Sequence, residues 1–281
     1  MHEHRKEFPV LMMCQILDVS RSGYYRWIDR PICPRAKRRA QLIEKIKEVQ
    51  EQSRGTYGSP RVTVELNEAD VAVSENTVAK YMRESGICVR PRRRFVPQTT
   101  ESDHDCPIAP NLLDQNFSAA SADQKWACDL TYIWTNEGWL YLSVVIDLFS
   151  RRIIGWSMSD HLRGEGVAQA LSMALSRRRP GEGLLHHSDR GLQYACELYR
   201  AVLEKHRITR SMSRSGNCYD NAVVESFFGT LKSELVHRMR YRTREQAKGS
   251  VFEWIECWYN RRRRHSSLGY LSPEAFEARV N

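Results

Sequence analysis

The run WACDLTYIWTNEGWLYLSVVIDLFSRRIIGWSMSD, Trp126–Asp160, decides the fold. It divides into three strand-forming stretches, WACDLTYIWT, WLYLSVVIDLFS and RRIIGWSMSD. Asn136-Glu137-Gly138 and Phe149–Arg152 supply the turns between them. The middle stretch is apolar on both faces, with Leu140, Leu142, Val144 and Ile146 against Val145 and Leu148. A strand of that kind is expected at the centre of a sheet, covered on both sides. Downstream the pattern alternates. A helix is expected near Gly164–Arg178, then a buried strand LLHHSD, a helix near Ala195–His206 and a fifth strand, ITRSMS. A helix carrying Glu225 follows, and then a long one near Thr243–Arg261 with Ala247, Val251, Trp254, Ile255 and Trp258 on one stripe. Adjacent strands followed by alternating helix and strand describe a mixed α/β layer protein.

Three acids stand out against this frame. Asp129 lies inside the first strand, although strands tend to exclude Asp, and its neighbours Ala127, Cys128 and Leu130 are apolar. Asp189 ends the fourth strand. Thirty-five residues separate it from Glu225, on a helix made apolar by Val223, Val224, Phe227 and Phe228. Carboxylates near strand ends can project over one sheet edge, and the helix can bring the third to meet them. Such a set can hold a pair of divalent ions roughly 4 Å apart, which clamp both oxygens of a phosphoryl displacement. Lys232, seven residues beyond Glu225, shares its helix face at about 10 Å along the axis. It suits a phosphate contact beside the acids.

Upstream the chain is helical and basic. Leu11–Trp27 reads as helix, turn, helix, with Ser20 as an N-cap. Leu42, Ile43, Ile46 and Val49 mark a longer amphipathic helix. VTVELNEADVAVSENTVAKYMRESG gives a second helix–turn–helix pattern, with Ser74 as N-cap and Val78, Tyr81 and Met82 on one face. If that unit reads bases, Glu75, Asn76, Ala79 and Lys80 at the start of its second helix should do so. Arg90–Arg94, including Arg92 and Arg93, opens a stretch without periodicity that argues for a boundary. The expected division is a helical DNA-binding region over 1–95, a linker over 96–121, a catalytic core over 122–240 and a helical extension over 241–281.

Net charge is +9 and the pI is about 9.2, which favours a polyanionic partner. Eight cysteines show no C-x-x-C pair and no zinc spacing, and read as reduced thiols. Met1 is followed by His, Glu and Arg, and no apolar segment could span a bilayer. A cytoplasmic, DNA-associated protein without a membrane partner is expected.

The local motifs sharpen this reading. They are W-x-x-D-L-T-Y at Trp126–Tyr132, HSDRGLQY at His187–Tyr194, DNAVVESFFGTLKSEL at Asp220–Leu235, and YNRRRRHSSLGYLSPEAFE at Tyr259–Glu277. The strand order and the D, D, thirty-five-residue gap, E spacing resemble the retroviral-integrase, RNase H-like superfamily. The motifs resemble bacterial transposases of the insertion sequence 3 family, and CQILDVSRSGYYRW is similar to the start of their downstream reading frame. The resemblance implies an RNase H-like integrase core with a mixed sheet, preceded by all-α helix–turn–helix domains. It implies two Mg²⁺ (or Mn²⁺) held by Asp129, Asp189 and Glu225, and DNA cleavage at the element's ends with water. Strand transfer by the freed 3′-hydroxyl follows, without a covalent protein–DNA intermediate. Lys232 matches the superfamily's basic residue. The implied partners are terminal inverted repeats, target DNA, and an upstream-frame product carrying a helix–turn–helix and a leucine zipper. No heptad run of that kind precedes Asp129 here. Joining two ends also implies a homo-oligomer on DNA.

Several residues keep two readings. His187 either positions DNA or a carboxylate, or closes a strand as a satisfied core histidine. Asp220 is expected to cap the Glu225 helix, and Asn221 to share that cap or contact DNA. Trp254 and Trp258 are expected in the core. Arg261, Arg262, Arg263 and Arg264 suit a helix C-terminus and equally a phosphate backbone. Rival functions are a non-catalytic DNA-binding regulator and an RNase H-type nuclease. An intact acidic set argues against the first, and the helix–turn–helix units and the tail argue against the second.

Overall fold

The computed structural model describes residues 1–31, 33–89, 108–215 and 217–280. The chain forms two compact units, Met1–Cys88 and Val89–Asn281.

The first unit is helical. α1 (Val10–Ile16) pairs with α2 (Arg21–Ile28). Ser20 Oγ accepts the Gly23 N–H at 3.0 Å, so the expected cap starts α2. α3 (Pro34–Gln52), α4 (Ser59–Glu68) and α5 (Glu75–Glu84) pack on one another. Pro34 occupies the first turn of α3, where its missing N–H costs nothing. Ile46, Val62, Leu66, Val78 and Met82 are buried in this cluster. Ser74 Oγ accepts the Thr77 N–H and opens α5.

The second unit is a five-stranded mixed sheet in the order β3-β2-β1-β4-β5. β1 (Lys125–Thr135), β2 (Gly138–Asp147) and β3 (Ile153–Ser159) form an antiparallel meander. Gly138 takes φ +103° at the first turn, and Arg151 takes +61° at the second. β4 (Leu185–Ser188) lies parallel to β1, and β5 (Thr209–Met212) parallel to β4. β1 is thus the central strand, and β2 is interior, as its two apolar faces require.

α6 (Gly164–Arg178) and α8 (Glu197–Lys205) cover one face, joined by the short helix α7 (Leu192–Ala195). Trp126, Cys128, Val145 and Ile154 meet Leu171 and Leu203 there. α9 (Ala222–Glu234) packs against β1, and α10 (Arg244–Glu253) against β1 and β2. α10 runs on into a π-helical stretch, Trp254–Tyr259, so the expected long helix widens in its second half. The wider turn lets Trp254, Ile255, Trp258 and Tyr259 all be buried, and both tryptophans are core residues.

The tail motif has a structural use. Asn260 is buried and bridges β3, accepting from Ile153 N and donating to Ile153 O, both at 2.9 Å. In α11 (Pro273–Val280), Glu277 accepts from Arg178 Nη2 at 2.7 Å and Arg152 Nη1 at 2.8 Å. Arg178 also bonds Asp123 and Asp147. The cations hold the Glu277 carboxyl below its usual range despite burial.

Residues 108–121 differ from a free linker. Leu113 is buried, and the Leu112 and Leu113 N–H groups donate to Ser211 Oγ at 2.9 and 3.1 Å. Apolar and backbone anchors spaced this irregularly leave no periodic trace in sequence. Among the described residues, no helix is long and apolar enough to cross a membrane.

Candidate active site

Strand register brings the first two acids together. Lys125 lies opposite Leu185 and Ala127 opposite His187. Asp189 follows Ser188, the last residue of β4, and lies close enough to Asp129 for its charge to act on that carboxyl. α9 crosses β1 and carries Glu225 in its first turn. Asn221, just before α9, donates from Nδ2 to the Cys128 carbonyl oxygen at 3.1 Å. That bond pins the helix start to the strand at the residue before Asp129.

The backbone holds two of the carboxylates. Asp129 Oδ1 accepts from Leu130 N at 2.7 Å, and Asp189 Oδ1 from Gly191 N at 2.9 Å. Burial, then the Asp189 charge, pushes the Asp129 carboxyl well above its ordinary range, and Glu225 adds to the rise. Burial and Asp189 raise the Glu225 carboxyl too. Lys232 opposes the effect at Asp129 and is itself lowered by burial. Its ammonium lies 5.0 Å from the centre of the Tyr132 ring.

Asp189 raises the proton affinity of both Asp129 and Glu225, a multivalent cation relieves such a donor set, and oxygen-only donors suit a hard ion such as Mg²⁺. The residues therefore fit the implied metal. They do not form a closed cage as they stand: among the described residues, no group of three or more His, Cys, Asp or Glu is positioned to hold an ion. Glu225 is exposed on α9.

The other expected site residues sort differently. His187 is fully buried, its ring nitrogens 2.8 Å from Ser211 Oγ and 3.1 Å from Ser213 Oγ. Burial lowers its pKa to about 4, so it is a neutral core histidine and makes no DNA contact. Asn221 is buried on β1, which removes it both as a DNA contact and as a side-chain cap. Asp220 does not cap α9. Its carboxylate accepts from Arg214 Nη2 at 2.8 Å, Asn111 Nδ2 at 2.9 Å and Gln115 Nε2 at 2.9 Å, and Arg214 depresses its pKa. It ties residues 111–115 to the α9 entry.

The arginine run divides. Arg261 and Arg262 are exposed, whereas Arg263 and Arg264 are buried. Arg263 pairs with Glu234 through Nη2 at 2.7 Å and Nε at 2.9 Å, so it cannot lie on a phosphate backbone. Arg264 donates to the Tyr270 carbonyl oxygen at 3.0 Å. In the first unit, Glu75, Asn76 and Lys80 are exposed along α5. Arg92 and Arg93 lie outside the described residues. Sequence reasoning missed Tyr132 beneath Lys232; the only signal was the T-Y pair after Asp129.

Comparison with known proteins decides the family. Models of the integrase core domain match residues 119–218 and 206–273, and a model of an HTH-like domain matches residues 37–95. Transposase InsF for insertion sequence IS3A of Escherichia coli (strain K12) is 44% identical over 277 residues, 98% of this chain and 96% of that protein. This chain belongs to the insertion sequence IS3 family of transposases. It is a DNA transposase with an RNase H-like integrase core and a helix–turn–helix-like region before it. The transposase is also 43% identical to the insertion element IS600 uncharacterized 31 kDa protein of Shigella sonnei, over 96% of this chain and 98% of the other. Among solved structures, the simian T-cell lymphotropic virus intasome in complex with PP2A regulatory subunit B56 gamma gives a TM-score of 0.49 at 11% identity. It covers 83% of this chain and 74% of that one. The HTLV-2 integrase catalytic core domain in complex with magnesium, trimeric form, gives 0.45 at 14% identity, over 57% of this chain and 99% of that one.

Proposed function

We propose that the transposase works by a DDE mechanism, with Asp129, Asp189 and Glu225 together holding two divalent cations, Mg²⁺ or Mn²⁺. What supports this reading is that Asp129 lies on β1, Asp189 just past its parallel neighbour β4, and Glu225 on α9, which packs on β1, with Asp189 raising both other carboxyls. The cations, when bound, supply a clamp on the attacking and leaving oxygens of an in-line displacement. The protein's part is positioning. The β1 and β4 backbones fix Asp129 and Asp189, Glu225 closes from α9, and Lys232 takes a phosphate oxygen beside them. The same arrangement serves water in the first step, cutting at the element's end, and the freed 3′-hydroxyl in the second, strand transfer.

The α4–α5 unit binds the terminal inverted repeats, with Glu75, Asn76 and Lys80 facing the bases; in the second unit, exposed Arg261 and Arg262 meet phosphates of their own. Joining requires two ends held together, so the transposase acts as an oligomer on DNA and with an upstream-frame partner that supplies the missing heptads.

The test is labelled DNA carrying the element's ends, incubated with Mg²⁺ and the parent, Asp129→Asn, Asp189→Asn or Glu225→Gln. Each variant should lose both nicks and joints while still binding ends. Near-parental strand transfer by any one of them removes that residue from the set. Joining that rises with added upstream product, while nicking does not, supports the partner.

A further inference from the structure

On the sheet face beyond α6, the β1–β2 hairpin leaves an aromatic surface bare. Tyr132, Trp134 and Trp139 are 40%, 57% and 42% exposed. Trp139 stands edge-on to both others, at centroid distances of 5.0 Å to Tyr132 and 4.8 Å to Trp134. The rings are therefore one patch, open to solvent. Keeping two tryptophans at the solvent end of a hairpin forgoes the burial such side chains normally gain.

Tyr132 lies three residues past Asp129 on the same strand, so by alternation the two side chains leave β1 on opposite faces, and Lys232 on α9 links the patch to the acidic site. The ammonium of Lys232, which feels the Asp129 charge, sits over the Tyr132 ring. The far rim is cationic as well. The segment before α10 is bonded to the hairpin tip, with Asn136 N donating to Tyr241 O at 3.1 Å. Exposed Arg242 follows, and Arg244 Nε donates to the Trp139 carbonyl oxygen at 3.0 Å. Glu137 at the tip accepts from the Arg244 backbone N–H. Aromatic faces between cations match a polyanion whose monomers carry flat rings.

We propose that Tyr132, Trp134 and Trp139 form a stacking platform for unpaired bases of the DNA strand beside the phosphodiester held at Asp129. The proposal rests on the chain acting on DNA and names what its site does with the strand next to the reacting phosphate. A duplex end must open to present one strand in line. Unstacked bases lose stacking free energy, and an aromatic surface returns it without regard to sequence. Lys232 and Arg242 would meet the phosphates on either side.

The experiment uses the full chain in EDTA, so that its result is independent of the metal-binding acids. Two probes are compared, a blunt duplex and the same duplex with a single-stranded oligothymidylate tail. The parent should prefer the tailed probe. Trp134→Ala with Trp139→Ala should weaken tailed binding about tenfold and leave blunt binding unchanged. Trp134→Phe with Trp139→Phe should retain most of the preference, because phenylalanine still stacks. Trp134→Ala alone, at the most exposed position, should show part of the loss with an unchanged melting temperature. A parent without tail preference, or an alanine pair that keeps it in full, overturns the proposal. So does an alanine pair that keeps it but sediments as a smaller species than the parent, which would make the patch an interface between copies. If the acid variants bind the tail like the parent yet retain strand transfer, the metal reading fails while the platform stands.

Discussion

Arg263→Ala tests whether the arginine run is one surface or two. Arg263 and Glu234 are 5% and 9% exposed and share hydrogen bonds of 2.7, 2.9 and 3.1 Å. The guanidinium also lies 5.9 Å from the centre of the Tyr259 ring. Truncation leaves the Glu234 carboxylate buried at the end of α9 without this partner. Breaking a buried pair in this way costs about 3–5 kcal/mol. A domain's whole stability is about 5–15 kcal/mol. At about 2–4 °C per kcal/mol for a unit of this size, the midpoint should fall by roughly 6–20 °C. Arg262→Ala, on the exposed side, should stay within about 0.5 kcal/mol of the parent. It should instead flatten the salt dependence of DNA binding by up to about 0.9 log units, the share of one neutralised phosphate. The assays are thermal unfolding and DNA affinity across a salt series. Glu234→Leu with Arg263→Met should recover most of the lost stability, because an apolar pair avoids both desolvation penalties. An Arg263→Ala protein that melts with the parent but loses salt dependence would refute the assignment of Arg263 to the interior.

Three further outcomes follow from the same geometry. A buried acid whose folded pKa is raised binds its proton more tightly folded than unfolded, so stability rises as pH falls through that pKa and is lost as pH rises. Asp129→Asn should therefore melt above the metal-free parent at neutral pH and lose that margin as pH falls, the opposite pH trend of buried His186 and His187 being common to both proteins; a lower midpoint for that variant at neutral pH would contradict the repulsion argument. Gly155→Ala should cost about 1–3 kcal/mol by overpacking, since its Cβ would strike the Ala170 carbonyl oxygen and lie 2.9 Å from the Ala174 Cβ; an unchanged unfolding curve would mean α6 is free to move away from β3. Asn260→Ala removes both partners of the buried Ile153 backbone, at about 1–3 kcal/mol for each group left unpaired; hydrogen exchange at Ile153 should rise, and unchanged protection would show another partner replacing it.

Local regularities were legible in the sequence. The meander Trp126–Asp160, the caps Ser20 and Ser74 and the buried stripe Ala247 to Trp258 depend on periodicity and on side chains bonding within a turn. That information lies within a few residues. The three acids stood out in the sequence through their spacing and the motifs around them, and β4, which ends one residue before Asp189, lies parallel to β1. Residues whose partners lie far along the chain were not legible. Asp220 caps nothing and holds residues 111–115, more than a hundred positions away. His187 is satisfied by Ser211 and Ser213 from the next strand. Four identical arginines divide because the winding after Tyr259 turns Arg263 and Arg264 inward, onto Glu234 and Tyr270, and leaves Arg261 and Arg262 in water. The exposure of Trp134 and Trp139 also needed the sheet, because a strand's alternation says which residues share a face but not where the covering helix stops. Sequence by itself determined the elements and the chemistry they carry. The tertiary structure decided which charges are buried against a partner and which remain for DNA, because burial is set by packing between segments remote in the chain.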